Sequence, residues 1–310
     1  MFNLRRVCTA LLVILALAAV GAFGQLMTYR HVLVRPDRPQ PDLKIAYGAD
    51  ANQFGELWLP KVSRHKTKQG EVPVVLMIHG GCWLAELPGP ELLAFQAGAL
   101  RDAGIAVWSI SYRRLGNPGG GYPGTFLDVA AGADKLRELA GKYSLDLTRV
   151  VATGHSAGGH LALWAAARSR IDAGSPLKSE NPLAVTAVVG VAPIPDLAYG
   201  ANAVAHACGA TTIARLVDLK ARGAASATDG AWRDTSPFAL LPFNDRQTLI
   251  YGSSDTLVPP DNADTYKARA ANVGEPVAVV NLKGAGHFEL ISPWTPAGRA
   301  VVERIIKEVN

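Results

Sequence analysis

From about Leu43 onward, short apolar runs alternate with longer amphipathic stretches. Val72 to Ile78, Ile105 to Tyr112, Val150 to Thr153, Val185 to Val191, Thr248 to Tyr251 and Val277 to Leu282 are continuous and rich in β-branched residues. Runs of this kind belong to strands buried on both faces, as in a parallel sheet covered by helices. Weaker two-residue alternation near Ile45 and over Phe54 to Leu59 predicts an antiparallel edge hairpin. Helices are predicted over Thr125 to Tyr143, Ala157 to Arg168 and Pro296 to Val309, the last two with the clearer apolar stripes. The pattern predicts an α/β fold: a mostly parallel central sheet with helices on both faces.

Two stretches break the rhythm. Lys61 to Glu71 is polar and basic and reads as a solvated loop. About fifty residues, roughly 196–245, separate two core strands and carry a predicted helix near Thr211 to Arg222. An insertion of that length suits a cap over a site. No internal repeat is present.

Arg5 and Arg6 are followed by an uncharged stretch from Val7 to Tyr29, with small residues at Ala22 and Gly24. A positive start, an apolar middle and small residues before a cut match an export signal over residues 1–24, with the mature chain, residues 25–310, beginning at Gln25. The same stretch is long enough to remain as a membrane anchor. Either way the folded part is expected outside the cytoplasm, periplasmic or secreted, touching a membrane only through this segment.

Composition narrows the rest. Of 310 residues 49% are hydrophobic and 18% charged, which excludes a disordered or fibrous chain. The net charge of +5 includes the two leader arginines, so nucleic acid is not an expected partner. Three cysteines, one in the leader, are too few for a disulfide framework or a four-ligand zinc site. Cys82 and Cys208 could pair after export, but their spacing in the chain does not give their separation, and the expectation is two small buried apolar side chains.

The candidate chemistry starts at Thr153-Gly154-His155-Ser156-Ala157-Gly158-Gly159, which follows one predicted strand and opens a helix. A serine at such a turn is lifted clear of the sheet, and Gly154 and Gly158 permit the close approach of strand and helix. The motif alone is unspecific, but strand and helix stand on the correct sides of it. A serine hydroxyl needs a base, and His287, in Gly284-Ala285-Gly286-His287-Phe288 after the last core strand, is the best placed of seven histidines. His155 and His160 flank the serine but do not naturally point back at it. Asp255, after the penultimate strand and 32 residues before His287, is the carboxylate expected to orient the imidazole. Asp196 is the competing acid, with helix capping as its alternative role. His79-Gly80-Gly81-Cys82-Trp83 follows another core strand, and its glycines can turn backbone N–H groups toward a developing oxyanion, joined by the N–H of Ala157.

Together these motifs resemble the α/β-hydrolases of the esterase, lipase and arylformamidase type, in particular the bacterial acetyl- and feruloyl-esterase-like branch. The resemblance spans roughly Gly48 to Asn310 and includes Ser111-Tyr112-Arg113-Arg114 and the Gly119 to Gly124 stretch ahead of Asp128. It implies Ser156 as nucleophile, His287 as base, Asp255 as acid, and the N–H groups of Gly81, Cys82 and Ala157 as the oxyanion hole. Cys82 stands where many relatives carry a third glycine.

The implied activity is hydrolysis of small acyl esters, acetyl or aryl, free or borne on a polymer, through an acyl-enzyme. No cofactor and no metal are expected: there is no His-Glu-x-x-His pair and no dinucleotide-binding glycine motif. Trp83, Tyr112, Tyr122, Trp232 and Phe288 are candidates for a pocket lining and, at least as readily, for core packing. Two other readings are an arylformamidase, suggested by the His-Gly-Gly-x-Trp loop, and a noncatalytic hydrolase-fold binding protein.

Overall fold

The computed structural model describes residues 26–62, 65, 67, 70–243 and 245–310, so the expected leader lies outside the described residues. Eight strands form one sheet: β1 (Leu43–Ala46), β2 (Phe54–Trp58), β3 (Val72–Ile78), β4 (Ala106–Ile110), β5 (Leu145–His155), β6 (Ala187–Val191), β7 (Arg246–Gly252) and β8 (Val277–Leu282). Their order across the sheet is β1-β2-β4-β3-β5-β6-β7-β8. β1 and β2 pair antiparallel, β2 joins β4 antiparallel, and every later pairing is parallel. Every residue of β3, β4 and β6 is buried, which is why these segments are continuously apolar rather than alternating.

Helices α1 (Tyr29–Leu33), α2 (Ala94–Asp102), α3 (Gly124–Asp134), α4 (Leu136–Tyr143) and α5 (Ala157–Ala167) precede the insertion, and α11 (Asp264–Asn272) and α12 (Pro296–Val309) follow it. α5 is buried almost all round against the sheet. α12 shows the stripe expected of a surface helix, burying Val301, Val302, Ile305 and Val309. Its start is set by Thr295, which accepts from the Gly298 N–H, and by Pro296 at the first position. The single helix predicted over Thr125 to Tyr143 is two, divided at Lys135. There the Asp134 carboxylate is held by Arg168 (2.7 Å) and by the Leu183 N–H (2.8 Å), contacts from distant segments that chain periodicity does not encode. α2 and α11 carry too weak a stripe to be predicted.

The segment between β6 and β7 holds five short helices: α6 (Leu197–Ala203), α7 (Ala205–Cys208), α8 (Thr212–Leu216), α9 (Leu219–Arg222) and α10 (Pro237–Leu240). The helix predicted near Thr211 to Arg222 is interrupted at Asp218, whose φ is +52°. This layer is fastened below by Asp234, fully buried, which accepts from Arg222 (2.5 Å) and Ser175 (2.6 Å) while its carbonyl accepts from the Trp164 indole of α5 (2.8 Å). Ala207 and Cys208 of this segment line one cavity with residues from the loops at the carboxyl ends of β3, β5, β7 and β8.

Candidate active site

Ser156 stands between β5 and α5 at φ 57° and ψ −123°. A non-glycine residue in this region costs on the order of 1–3 kcal/mol and persists only where its surroundings fix it. The Ser156 N–H donates to the Val191 carbonyl of β6 (2.8 Å), and the Gly159 N–H returns to the Ser156 carbonyl (2.8 Å). Glycine is required on both sides: a Cβ on Gly154 would lie 2.2 Å from the Gly158 carbonyl oxygen, and one on Gly158 would lie 2.1 Å from that of Ile78. This packing drives the turn into the sheet edge and leaves the Ser156 side chain in a cavity.

Asp255 follows β7 and His287 follows β8. One carboxylate oxygen of Asp255 accepts from the N–H groups of Leu257 (2.8 Å) and Val258 (3.0 Å), and the other meets His287 Nδ1 at 2.6 Å. Both side chains are buried. Because a carboxylate only accepts, Nδ1 carries the proton and Nε2 of the neutral ring is left with its lone pair. Ser156 and His287 line one cavity of about 290 Å³. No hydrogen bond joins them in this structure, and such contacts commonly tighten only with substrate in place.

The other histidines near the serine have different work. His155 packs its ring 4.2 Å from that of His287 and donates from Nε2 to the His287 carbonyl (3.1 Å). Burial, reinforced by the neighbouring His287, holds His155 well below the usual imidazole range. It braces the backbone of residue 287, a role with no signature in the sequence. His160 accepts from the Trp83 indole (3.3 Å) and donates to the Thr235 carbonyl (2.8 Å), and burial pushes its pKa down to about 4. His79 stacks on Tyr112 and donates to the Gly80 carbonyl (2.8 Å); burial, then the Arg114 charge, brings it to about 3. Asp196 caps α6, accepting from the N–H groups of Ala198 (3.0 Å) and Tyr199 (3.2 Å), and Thr265 holds its second oxygen.

The loop after β3 carries three consecutive positive φ angles, at Gly81 (95°), Cys82 (49°) and Trp83 (56°). Gly81 and Cys82 line the cavity with the serine. Ala157 does not line it but occupies the first position of α5, where an N–H has no partner within the helix. The two cysteines are not free thiols: Cys82 and Cys208 form a disulfide with Cα atoms 5.4 Å apart. The expectation of two separate buried thiols is therefore corrected. A separation of 126 residues hid a contact that exists only once the segment between β6 and β7 packs beside the loop after β3. Of the two roles open to the aromatic candidates, core packing holds for most. Trp83 and Tyr112 are fully buried, Trp232 is buried, and Tyr122 lies under the Arg222 guanidinium at 3.6 Å. Of those five only Phe288 lines the cavity, where it is joined by Thr28 and Tyr29, which lie just past the expected leader at the end of the uncharged run. Among the described residues no group of three or more His, Cys, Asp or Glu side chains is arranged to hold a metal ion.

Comparison with known proteins places the chain in a family and a fold. The BD-FAE family model matches residues 61–269. A search of the curated proteins finds no match. Among solved structures, an inhibited esterase B from Lactobacillus rhamnosis superposes with a TM-score of 0.72 at 20% identity, covering 97% of this chain and 95% of its own. The propionate-bound esterase Est2 of the Planctomycetes species Thermogutta terrifontis gives a TM-score of 0.66 at 18% identity, covering 91% of this chain and 96% of its own. A truncated carbohydrate esterase from gut microbiota gives 0.66 at 20% identity, with 86% and 95% covered. At these identities the likeness is one of fold.

Proposed function

Since the chain belongs to the BD-FAE family, an α/β-hydrolase-type esterase family, we propose that it hydrolyses small acyl esters, acetyl or aryl, through a Ser156-His287-Asp255 triad and an acyl-enzyme. The observation that carries this reading is the buried 2.6 Å contact between His287 Nδ1 and Asp255, made by a histidine that shares one small cavity with the elbow serine. His287 Nε2 takes the Ser156 proton as the hydroxyl attacks the ester carbonyl. Charge gathers on the carbonyl oxygen, where the N–H groups of Gly81, Cys82 and Ala157 act as donors. The alkoxide leaves with the proton from His287, and water, deprotonated by the same imidazole, then releases the acid. Asp255 fixes the tautomer and stabilises the imidazolium; it does not itself gain the proton.

At about 290 Å³ the cavity is at the small end of ligand sites, and its walls at Leu87, Leu92, Leu257 and Val258 are apolar. Both features favour a short acyl group. Location outside the cytoplasm is part of the proposal, and the Cys82–Cys208 disulfide supports it, since such bonds persist in oxidising compartments.

The test is Ser156→Ala with p-nitrophenyl acetate, beside fluorophosphonate labelling of the unaltered protein and mapping of the labelled peptide. Loss of roughly 10⁴-fold or more in kcat with folding retained is expected, and the label on Ser156. Retained turnover, or a label elsewhere, removes the serine mechanism. A panel of acyl groups and N-formyl arylamines then reads the substrate class: faster release from the formamides overturns the ester assignment.

A further inference from the structure

The oxyanion loop is held from one side by noncovalent contacts. Leu84 donates to the Gly81 carbonyl (2.8 Å), Leu115 donates to the Trp83 carbonyl (2.8 Å), and the buried Trp83 indole reaches His160. Between them lies Cys82, only half-buried, in a left-handed conformation that side chains other than glycine rarely adopt. Among the described residues neither the Gly81 nor the Cys82 N–H donates to a protein group, so both remain available to a ligand in the cavity. The one covalent fastening on Cys82 comes from across the cavity. Cys208 ends α7, where its N–H donates to Val204 (2.9 Å) and its carbonyl accepts from Thr212 Oγ1 (2.5 Å). Two residues earlier, His206 donates from Nε2 to the carbonyl of Thr256 (2.6 Å), next in the chain to Asp255. α7 is therefore tied at once to the loop that holds the acid and, through sulfur, to the loop that faces the serine.

We propose that Cys208 is a positioning residue of the active site: its disulfide holds Cys82 at positive φ, which keeps the Cys82 N–H turned toward the reacting carbonyl oxygen, so full activity belongs to the oxidised enzyme alone. The inference rests on the reading of Gly81 and Cys82 as oxyanion donors. Reduction, in which a dithiol gives up two electrons and two protons and becomes a disulfide while Cys82 and Cys208 become thiols, frees residue 82 to relax toward negative φ and withdraws its donor. Ground-state binding depends on the apolar walls and changes little. The loss therefore falls on kcat.

The experiment compares wild type, Cys208→Ala and the double variant Cys82→Gly/Cys208→Ala, with p-nitrophenyl acetate kinetics and thermal unfolding on each. Glycine adopts positive φ without a clamp, so it separates loop geometry from tethering. In Cys208→Ala, kcat is expected to fall roughly ten- to a hundredfold, less than the 10²–10³ for outright removal of a donor, with KM within about threefold of wild type. The double variant recovers kcat to within about fivefold of wild type, although its unfolding midpoint stays as low as that of the single variant. Wild-type kcat in Cys208→Ala overturns the proposal. So does a loss that glycine fails to restore, because the bond would then serve only to tether the cap. Should the variants fold poorly, dithiothreitol titration of the wild-type enzyme, with circular dichroism confirming an unchanged fold, reads the same step: kcat must fall in proportion to free thiol, and kcat independent of thiol overturns the proposal. Ser156→Ala run in parallel separates the two claims: turnover surviving there rejects the triad, whereas a serine-dependent enzyme indifferent to Cys208 rejects only the clamp.

Discussion

Asp255 shows how much one side chain settles. Its two oxygens are divided between jobs, one accepting from the Leu257 and Val258 N–H groups and the other from His287. Asp255→Asn is therefore a sharp probe. The amide oxygen can still accept from the two N–H groups, so the loop keeps its shape. Its –NH₂ then faces Nδ1 and forces the proton to Nε2, the wrong tautomer for a base. Esterase kcat should fall by roughly 10³–10⁴ with KM and the unfolding midpoint little changed; a loss below tenfold would mean that Asp255 does not orient the imidazole. The candidate residues at this scale were readable because each follows a core strand and belongs to a motif with a mechanical reason. His155 was not. Its bond to the His287 carbonyl joins positions 132 apart in the chain and leaves no local mark. Thr28 and Tyr29 were hidden for another reason, since the uncharged run that suggests a leader continues through them.

Among elements, strands were legible and the short helices between β6 and β7 were not. β3, β4 and β6 are buried on both faces, so burial writes itself into sequence as an unbroken apolar run. The five helices between β6 and β7 are four to seven residues long, under two turns each, and too short to show a period. What orders them is polar and long-range. Asp234 takes the Arg222 guanidinium, which is 15% exposed, while Asp234 itself is 2% exposed. Removing the acid from a buried pair leaves the Arg222 charge without its counter-ion, and such changes typically cost about 3–5 kcal/mol. Asp234→Ala should therefore destabilise the protein by about that amount in urea unfolding, with limited proteolysis cutting first between β6 and β7. A cost under 1 kcal/mol would mean that water already solvates the pair. The elbow gives the opposite kind of prediction, from space rather than charge. A Cβ on Gly158 would sit 2.1 Å from the Ile78 carbonyl oxygen and 2.4 Å from that of His79, backbone atoms of β3 and the loop beyond it. Gly158→Ala must push α5 off the sheet, and soluble yield together with Ser156 labelling should collapse. Wild-type labelling in that variant would show that the turn has room the packing denies it.

The molecule as a whole brings four strand ends to one edge of a sheet, the place where open α/β sheets put their ligands, and it does so by burying polar groups that water would otherwise keep. Three of these are imidazoles: His79 at about 3, His160 at about 4, and His155 held well below the usual range. Each stays neutral in the fold and protonates near pH 6.5 once the chain unfolds. As pH falls below about 6.5 the unfolded state takes up protons that the native state refuses, so stability drops with falling pH, by about 1.4 kcal/mol per pH unit for each histidine. Two carboxyls, one buried and one half-buried, act the other way. Burial, with Glu275 adding to it, raises Asp245 to about 7, and burial raises Asp196, so the native state binds those protons more readily than the unfolded chain. The total slope therefore mixes signs, and a single substitution isolates one contribution. In His160→Gln the amide oxygen can still accept from the Trp83 indole and the –NH₂ can still donate to the Thr235 carbonyl, but nothing at the site titrates. The dependence of unfolding free energy on pH between about 4.5 and 6 should then be shallower than wild type by close to one proton, about 1.4 kcal/mol per pH unit. Parallel wild-type and variant curves from urea unfolding over that range would mean that the His160 imidazole already accepts a proton inside the fold, and that the buried floor beneath the loop after β3 is wet.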